Sequence, residues 1–188
     1  YTTAAASAPR RSAQSALWHI LQCLTKLMAP ILCFTAEEIW QLQSGDRQQS
    51  IMLHTWQPLP APAGEGELLE KWGKIRTYRG EVMRALEELR SAGRIGSPLQ
   101  AAVQLHCDGE KHALLASLGD DLRFVLICSQ AAVVRDPVDQ LLCTALTHAK
   151  CERCWHVLAD VGKHPEHPGL CGRCIENLYA EGEARAFA

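Results

Sequence analysis

From Leu17 the apolar residues recur at Leu17, Ile20, Leu21, Leu24, Leu27 and Met28, the i, i+3, i+4, i+7 spacing of one helix face. The spacing predicts an amphipathic helix of several turns. Pro30 lacks a backbone donor and disfavours helical geometry at Ala29, so the helix stops or kinks there. Thr35-Ala36-Glu37-Glu38 reads as a capping box opening a second helix that carries Ile39, Trp40 and Leu42 and ends at Ser44-Gly45. Between Pro58 and Gly66 three prolines and two glycines in nine residues mark a loop or linker. Helical spacing returns with Trp72, Ile75, Val82, Met83, Leu86 and Leu89 on one face, predicting a helix of about six turns that stops at Gly93. Gly73 and Gly80 sit seven residues apart on one side of it, open to a close-packed neighbour or simply tolerated.

Beyond Pro98 the elements shorten. Ala102 to Cys107 reads as a strand, Asp108-Gly109 as a turn, Lys111 to Leu118 as a short helix, and Leu122 to Cys128 and Ala131 to Val134 as strands. Asp136-Pro137 breaks this small α/β unit, and Leu141 to Ala149 is a further strand or helix before a cysteine-rich tail. The expected fold is therefore mainly α: a helical bundle, then a small α/β unit, then a compact cysteine module, with domains at 1–96, 97–149 and 150–188. The length of 188 residues suits one ordinary domain or two small ones. Hydrophobic residues at 47% and charged residues at 21% are ordinary globular values, which excludes disorder, collagen and a coiled-coil rod as whole-chain descriptions. No apolar run reaches the roughly 18 residues of a membrane span. The chain opens at Tyr1 without Met or the order of a signal peptide, so secretion is unsupported and the chain reads as a fragment; its expected location is cytoplasmic.

The formal charge of -2 advertises no nucleic acid globally, so such a partner must be met by local patches. One stretch qualifies. Residues 71–94 hold seven basic side chains against three acidic ones. Arg79 and Arg90 fall beside the apolar face of this helix while Lys74 and Arg84 point away, which fits either a solvated face or contact with phosphates.

Nine cysteines, an odd number, fit poorly with a disulfide framework. Cys23, Cys33, Cys107, Cys128 and Cys143 lie singly among apolar neighbours and read as small buried hydrophobes. Cys151-Glu152-Arg153-Cys154 and Cys171-Gly172-Arg173-Cys174, sixteen residues apart, have the spacing of a structural zinc site. Four thiolates leave no open position on the ion, so the metal is structural and not catalytic. Lys150, Arg153 and Arg173 are placed to offset the site's negative charge. Trp155 in place of His after the first pair argues against c-type haem, and two matched pairs argue against a redox motif. His156, His164 or His167 remains open as a substitute ligand. Trp155 either packs over the knuckle or offers a stacking platform for an unpaired base.

These residues resemble a known family. Tyr1-Thr2-Thr3, Arg10 to Gln14 and the run Leu27-Met28-Ala29-Pro30 to Ile39-Trp40 are similar to the anticodon-binding helical domain of class I aminoacyl-tRNA synthetases. Lys150 to His156, Cys171 to Cys174 and the ending Glu183-Ala184-Arg185-Ala186-Phe187-Ala188 resemble the C-terminal zinc module of the bacterial isoleucyl family. Arg79-Gly80-Glu81-Val82, Leu86-Glu87 and Gly119 to Leu126 agree with it in between. The resemblance implies part of an ATP-dependent ligase that joins isoleucine to its tRNA, with one Zn2+ held by Cys151, Cys154, Cys171 and Cys174. The anticodon arm of the isoleucine tRNA is the implied partner, and the chain is expected to be monomeric and to lie beside catalytic and editing domains outside it. Neither the HIGH nor the KMSKS signature occurs, so the segment by itself is expected to lack an active site. Arg76, Arg79 and Arg84 are expected at tRNA phosphates, and Trp155, His156 and Arg173 at the RNA face of the zinc module. The alternatives are the zinc-stabilised DNA-binding region of a formamidopyrimidine-type DNA glycosylase, and a zinc module that docks a protein.

Overall fold

A computed structural model describes residues 2–43, 49–56, 58–59 and 61–185. Among them are six α-helices, three short 3-10 turns and a three-stranded sheet, matching the mainly helical expectation. No described helix is long and apolar enough to cross a membrane. The chain packs as two units, Arg10–Ala63 on the one hand and Tyr1–Pro9 with Gly64–Ala188 on the other.

In the first unit α1 (Ala8–Met28) ends before Pro30, as expected. The chain reverses with Ile31 and Leu32 both donating to the Met28 carbonyl, and α2 (Cys33–Leu42) follows at once. The expected capping box does not form. Ala36 already donates to the Leu32 carbonyl, so the first turn closes upstream and Thr35 lies inside the helix. The acidic residue that matters is Glu37, whose carboxylate accepts from Gln41 Nε2 at 2.7 Å, Ser50 Oγ at 2.8 Å and the Ile51 N–H at 2.9 Å. These donors hold it below the usual carboxylate range. The expected stop at Ser44-Gly45 lies outside the described residues.

Trp40 is the anchor of this unit. It is buried with Ala29, Ala36 and Ile51, and its indole N–H donates to the Gln49 carbonyl at 3.1 Å. The side of α1 that is buried is the polar one. Thr25 Oγ1 donates to the Leu21 carbonyl and accepts from Gln43 Nε2, which leaves Leu17, Ile20, Leu21, Leu24 and Leu27 exposed.

The second unit is built on α3 (Glu65–Ser91), which begins earlier than the sequence suggests because Glu65 and Gly66 join its first turn. Gly93, at φ 68°, ends it: Arg94 donates back to the Leu89 carbonyl in the left-handed cap that a Cβ would strain. A Cβ at Gly73 or Gly80 would meet nothing within 4 Å, so tolerance, and not a close neighbour, describes both among the described residues. β1 (Ala101–Cys107) is central. It pairs in parallel with β2 (Gln130–Arg135), Val103 opposite Ala131, and antiparallel with β3 (Gln140–Ala145), Val103 opposite Cys143.

Between β1 and β2 run α4 (Gly109–Ala116) and α5 (Leu122–Leu126). The second corrects the expected strand at Leu122 to Cys128. Leu118, Leu122 and Leu126 recur at four-residue spacing and are all buried, so helix geometry covers the core where an alternating strand would expose every second residue. The segment turns sharply at Ile127, whose φ of 55° is costly for a β-branched residue. Ile75, Val82 and Leu86 of α3, Ala101, Val103, Leu105 and Cys107 of β1, and the leucines of α4 and α5 form one continuous core.

Candidate metal centre and nucleic-acid interface

Cys151, Cys154, Cys171 and Cys174 are all buried, and their Sγ atoms lie within 4.8 Å of one another. Each pair sits on a tight knuckle. In the first, Trp155 N–H donates to the Cys151 carbonyl and Cys151 N–H to the His156 carbonyl, both at 2.9 Å. The second opens α6 (Gly172–Tyr179), whose N-terminus is held by Asp160 Oδ2 accepting from the Gly172 N–H at 2.7 Å.

The donor chemistry is that of thiolates bound to a cation. A backbone N–H points at one of the sulfurs, from Cys171 to Cys151 Sγ at 3.4 Å, and those of Cys174 and His156 favour the charged forms of Cys171 and Cys154. The Arg173 and Arg153 guanidiniums stand beside Cys154 and Cys174 and offset the charge of the site. The mutual hydrogen bonds of these thiols hold Cys154 below its ordinary range and push Cys171 and Cys174 above theirs, so that one negative charge is shared by the cluster before a cation joins it. Four soft ligands converging on one point, with charge-compensating donors, fit one structural zinc in a closed tetrahedral shell. None of the three histidines joins the group: His156 Nδ1 faces the Cys154 carbonyl, His164 lies beside Asp160, and His167 stacks on Tyr179. Of the remaining cysteines Cys107 and Cys128 are buried as expected, whereas Cys33 is exposed. Burial pushes the Cys128 thiol up to about 12.

The six expected RNA-contacting side chains do not share one environment. Trp155 is 61% exposed beside Lys150, whose Nζ lies 5.9 Å from the indole. Its backbone φ is 65°, a left-handed conformation that suits glycine better than tryptophan. Arg76 and Arg84 are exposed on α3 with no carboxylate partner among the described residues. Arg79 is half-buried, and its Nε donates to the Val125 carbonyl at 2.8 Å, closing the end of α5. His156 is buried with its ring edge-on to Phe124, and the Arg173 side chain is only 10% exposed, paired with Glu183. Lys74 is held by Glu70 and Glu110, and Arg90 by Glu87.

Two structural residues of the site carry no sequence signature. Ser129 Oγ donates to the Leu99 carbonyl and accepts from the Val157 N–H at 2.7 Å, joining the first knuckle to the sheet. Asp160 caps α6 from a loop twelve residues away.

Residues 1–105 match the family model described as the anticodon-binding domain of tRNA ligase, and residues 150–177 match the zinc finger found in FPG and IleRS. Among curated relatives, the isoleucine–tRNA ligase of Dechloromonas aromatica is 61% identical over all 188 residues. That of Thiobacillus denitrificans is 54% identical and that of Laribacter hongkongensis 45%, again over the whole chain. The chain spans 20% of the length of each of these relatives. With a family model covering more than half of its length, the chain belongs to the anticodon-binding domain family of tRNA ligases.

Proposed function

We propose that this chain is the tRNA-gripping C-terminal region of an isoleucine–tRNA ligase, which binds the anticodon arm of the isoleucine tRNA and positions it for a distant reaction. The observation that carries the proposal is the coexistence in one chain of the anticodon-binding match, the four-cysteine knuckle pair and an outward-facing Trp155 at its rim. ATP-dependent activation of isoleucine and its transfer belong to catalytic and editing domains of the longer polypeptide. The longer protein acts as a cytoplasmic monomer in this reading, and 1–96, 97–149 and 150–188 serve as its functional divisions here.

Mechanistically the chain supplies remote binding energy. Arg76 and Arg84 on the exposed side of α3 meet phosphates and fix the register of the RNA, while Trp155 stacks on an unpaired anticodon base. Arg79, His156 and Arg173 serve from beneath, by bracing the surface that carries these groups. Interactions made far from the acceptor end then help hold that end in the reactive geometry. The finger model is shared with a glycosylase, but the relatives that match the whole chain are ligases, which favours RNA over DNA as the nucleic acid and leaves a protein-docking module unsupported.

The test is the salt dependence of tRNA binding. Alanine at Arg76 or Arg84 should weaken binding and reduce the slope of log K against log salt by about 1 each. An unchanged slope in both variants would remove α3 from the interface.

A further inference from the structure

The two knuckles share a feature besides their cysteines: each has arginine at its third position, Arg153 in Cys151 to Cys154 and Arg173 in Cys171 to Cys174. Both arginines reach the same residue. Arg153 Nη1 donates to the Thr2 carbonyl at 2.7 Å, and Arg173 Nη2 donates to Thr2 Oγ1 at 2.9 Å, across sequence separations of 151 and 171 residues. Arg173 also donates from Nη1 to Glu183 at 2.7 Å and lies 5.0 Å from the centre of the Phe124 ring.

The tail that carries Glu183 is itself fastened. Asn177, buried on α6, donates to the Glu183 carboxylate at 3.0 Å and accepts from the Glu183 N–H at 3.1 Å. Gly182, at φ 94°, lies so close to the N-terminal segment that a Cβ there would stand 2.7 Å from the Ala4 Cβ. Thr3 is buried in the same place.

Because each arginine stands between two ligands of one ion, the metal fixes the backbone on both sides of it and so aims its guanidinium. A planar fork with five donors in fixed geometry, as in Arg173, can then serve a carboxylate and a hydroxyl at once. We propose that the two Cys-x-Arg-Cys knuckles form a metal-aimed clasp, with Arg153 and Arg173 as positioning residues that hold Thr2 and thereby order the segment leading into α1. The inference rests on the zinc site and is independent of tRNA binding.

Hydrogen exchange read by mass spectrometry, beside zinc content by elemental analysis, tests it on this chain. Removing zinc with a chelator should speed exchange at residues 3–8 by about tenfold or more, as expected when charge-assisted hydrogen bonds are lost. In the double variant R153A/R173A, read on the fraction of chains that still carries one zinc and protects Val157, residues 3–8 should be released to the same extent. R153K, which keeps a donor for the Thr2 carbonyl, should recover most of the protection. T2V, which removes only the hydroxyl, should give an intermediate rate whatever the fate of the double variant. Exchange at residues 3–8 that ignores both zinc removal and T2V would overturn the clasp.

Discussion

Trp155 shows how much a single backbone angle can say. A non-glycine residue at φ 65° carries a cost of about 1 kcal/mol or more, and we propose that at Trp155, which is turned outward, a use of the ring offsets it. In the proposed complex that use is stacking, worth about 1–3 kcal/mol per base. W155G should therefore weaken binding of the anticodon stem-loop by roughly tenfold to a hundredfold, while urea denaturation shows equal or greater stability because glycine fits the angle. Loss of stability without loss of affinity would return Trp155 to packing. The four cysteines were legible in the sequence because their spacing is itself the signal. The places of His156 and Arg173 were not, since spacing says nothing of burial: Phe124, Thr2 and Glu183 cover them from remote parts of the chain.

Among the elements, those with long periodic faces were legible: α1 and α3 follow from their apolar spacing, and Pro30 and Gly93 end them as expected. Short elements were harder. Leu122 to Leu126 is too brief for periodicity to separate strand from helix, and only the preceding Leu118 reveals the four-residue spacing. The capping box failed for a related reason, because the turn after Met28 sets the start of α2 through backbone hydrogen bonds that no side chain announces. Which side of α1 is buried also escaped, as its polar side meets Gln43 while its apolar stripe stays exposed. At this scale Ser129 is the element-to-element joint to test. S129A strips both the Leu99 carbonyl and the buried Val157 N–H of their partner and should cost about 1–3 kcal/mol in urea denaturation of the zinc-loaded chain. A change within about 0.5 kcal/mol, the range of ordinary surface substitutions, would mean that the knuckle does not depend on the sheet.

For the molecule as a whole, the chain combines a helical unit, a sheet-based core and a zinc module, and charge is distributed locally and not as a global excess. In the proposed function such a molecule meets RNA through a few placed groups, so its affinity should depend strongly on which bases are presented. The most direct measurement is the affinity of the zinc-loaded chain for the isoleucine tRNA anticodon stem-loop, beside the same stem with a changed anticodon, at one fixed salt concentration. Anticodon reading predicts tighter binding of the cognate loop by about tenfold or more, the equivalent of one well-read base. Equal binding of the two loops would contradict it and reduce the chain to a charged scaffold.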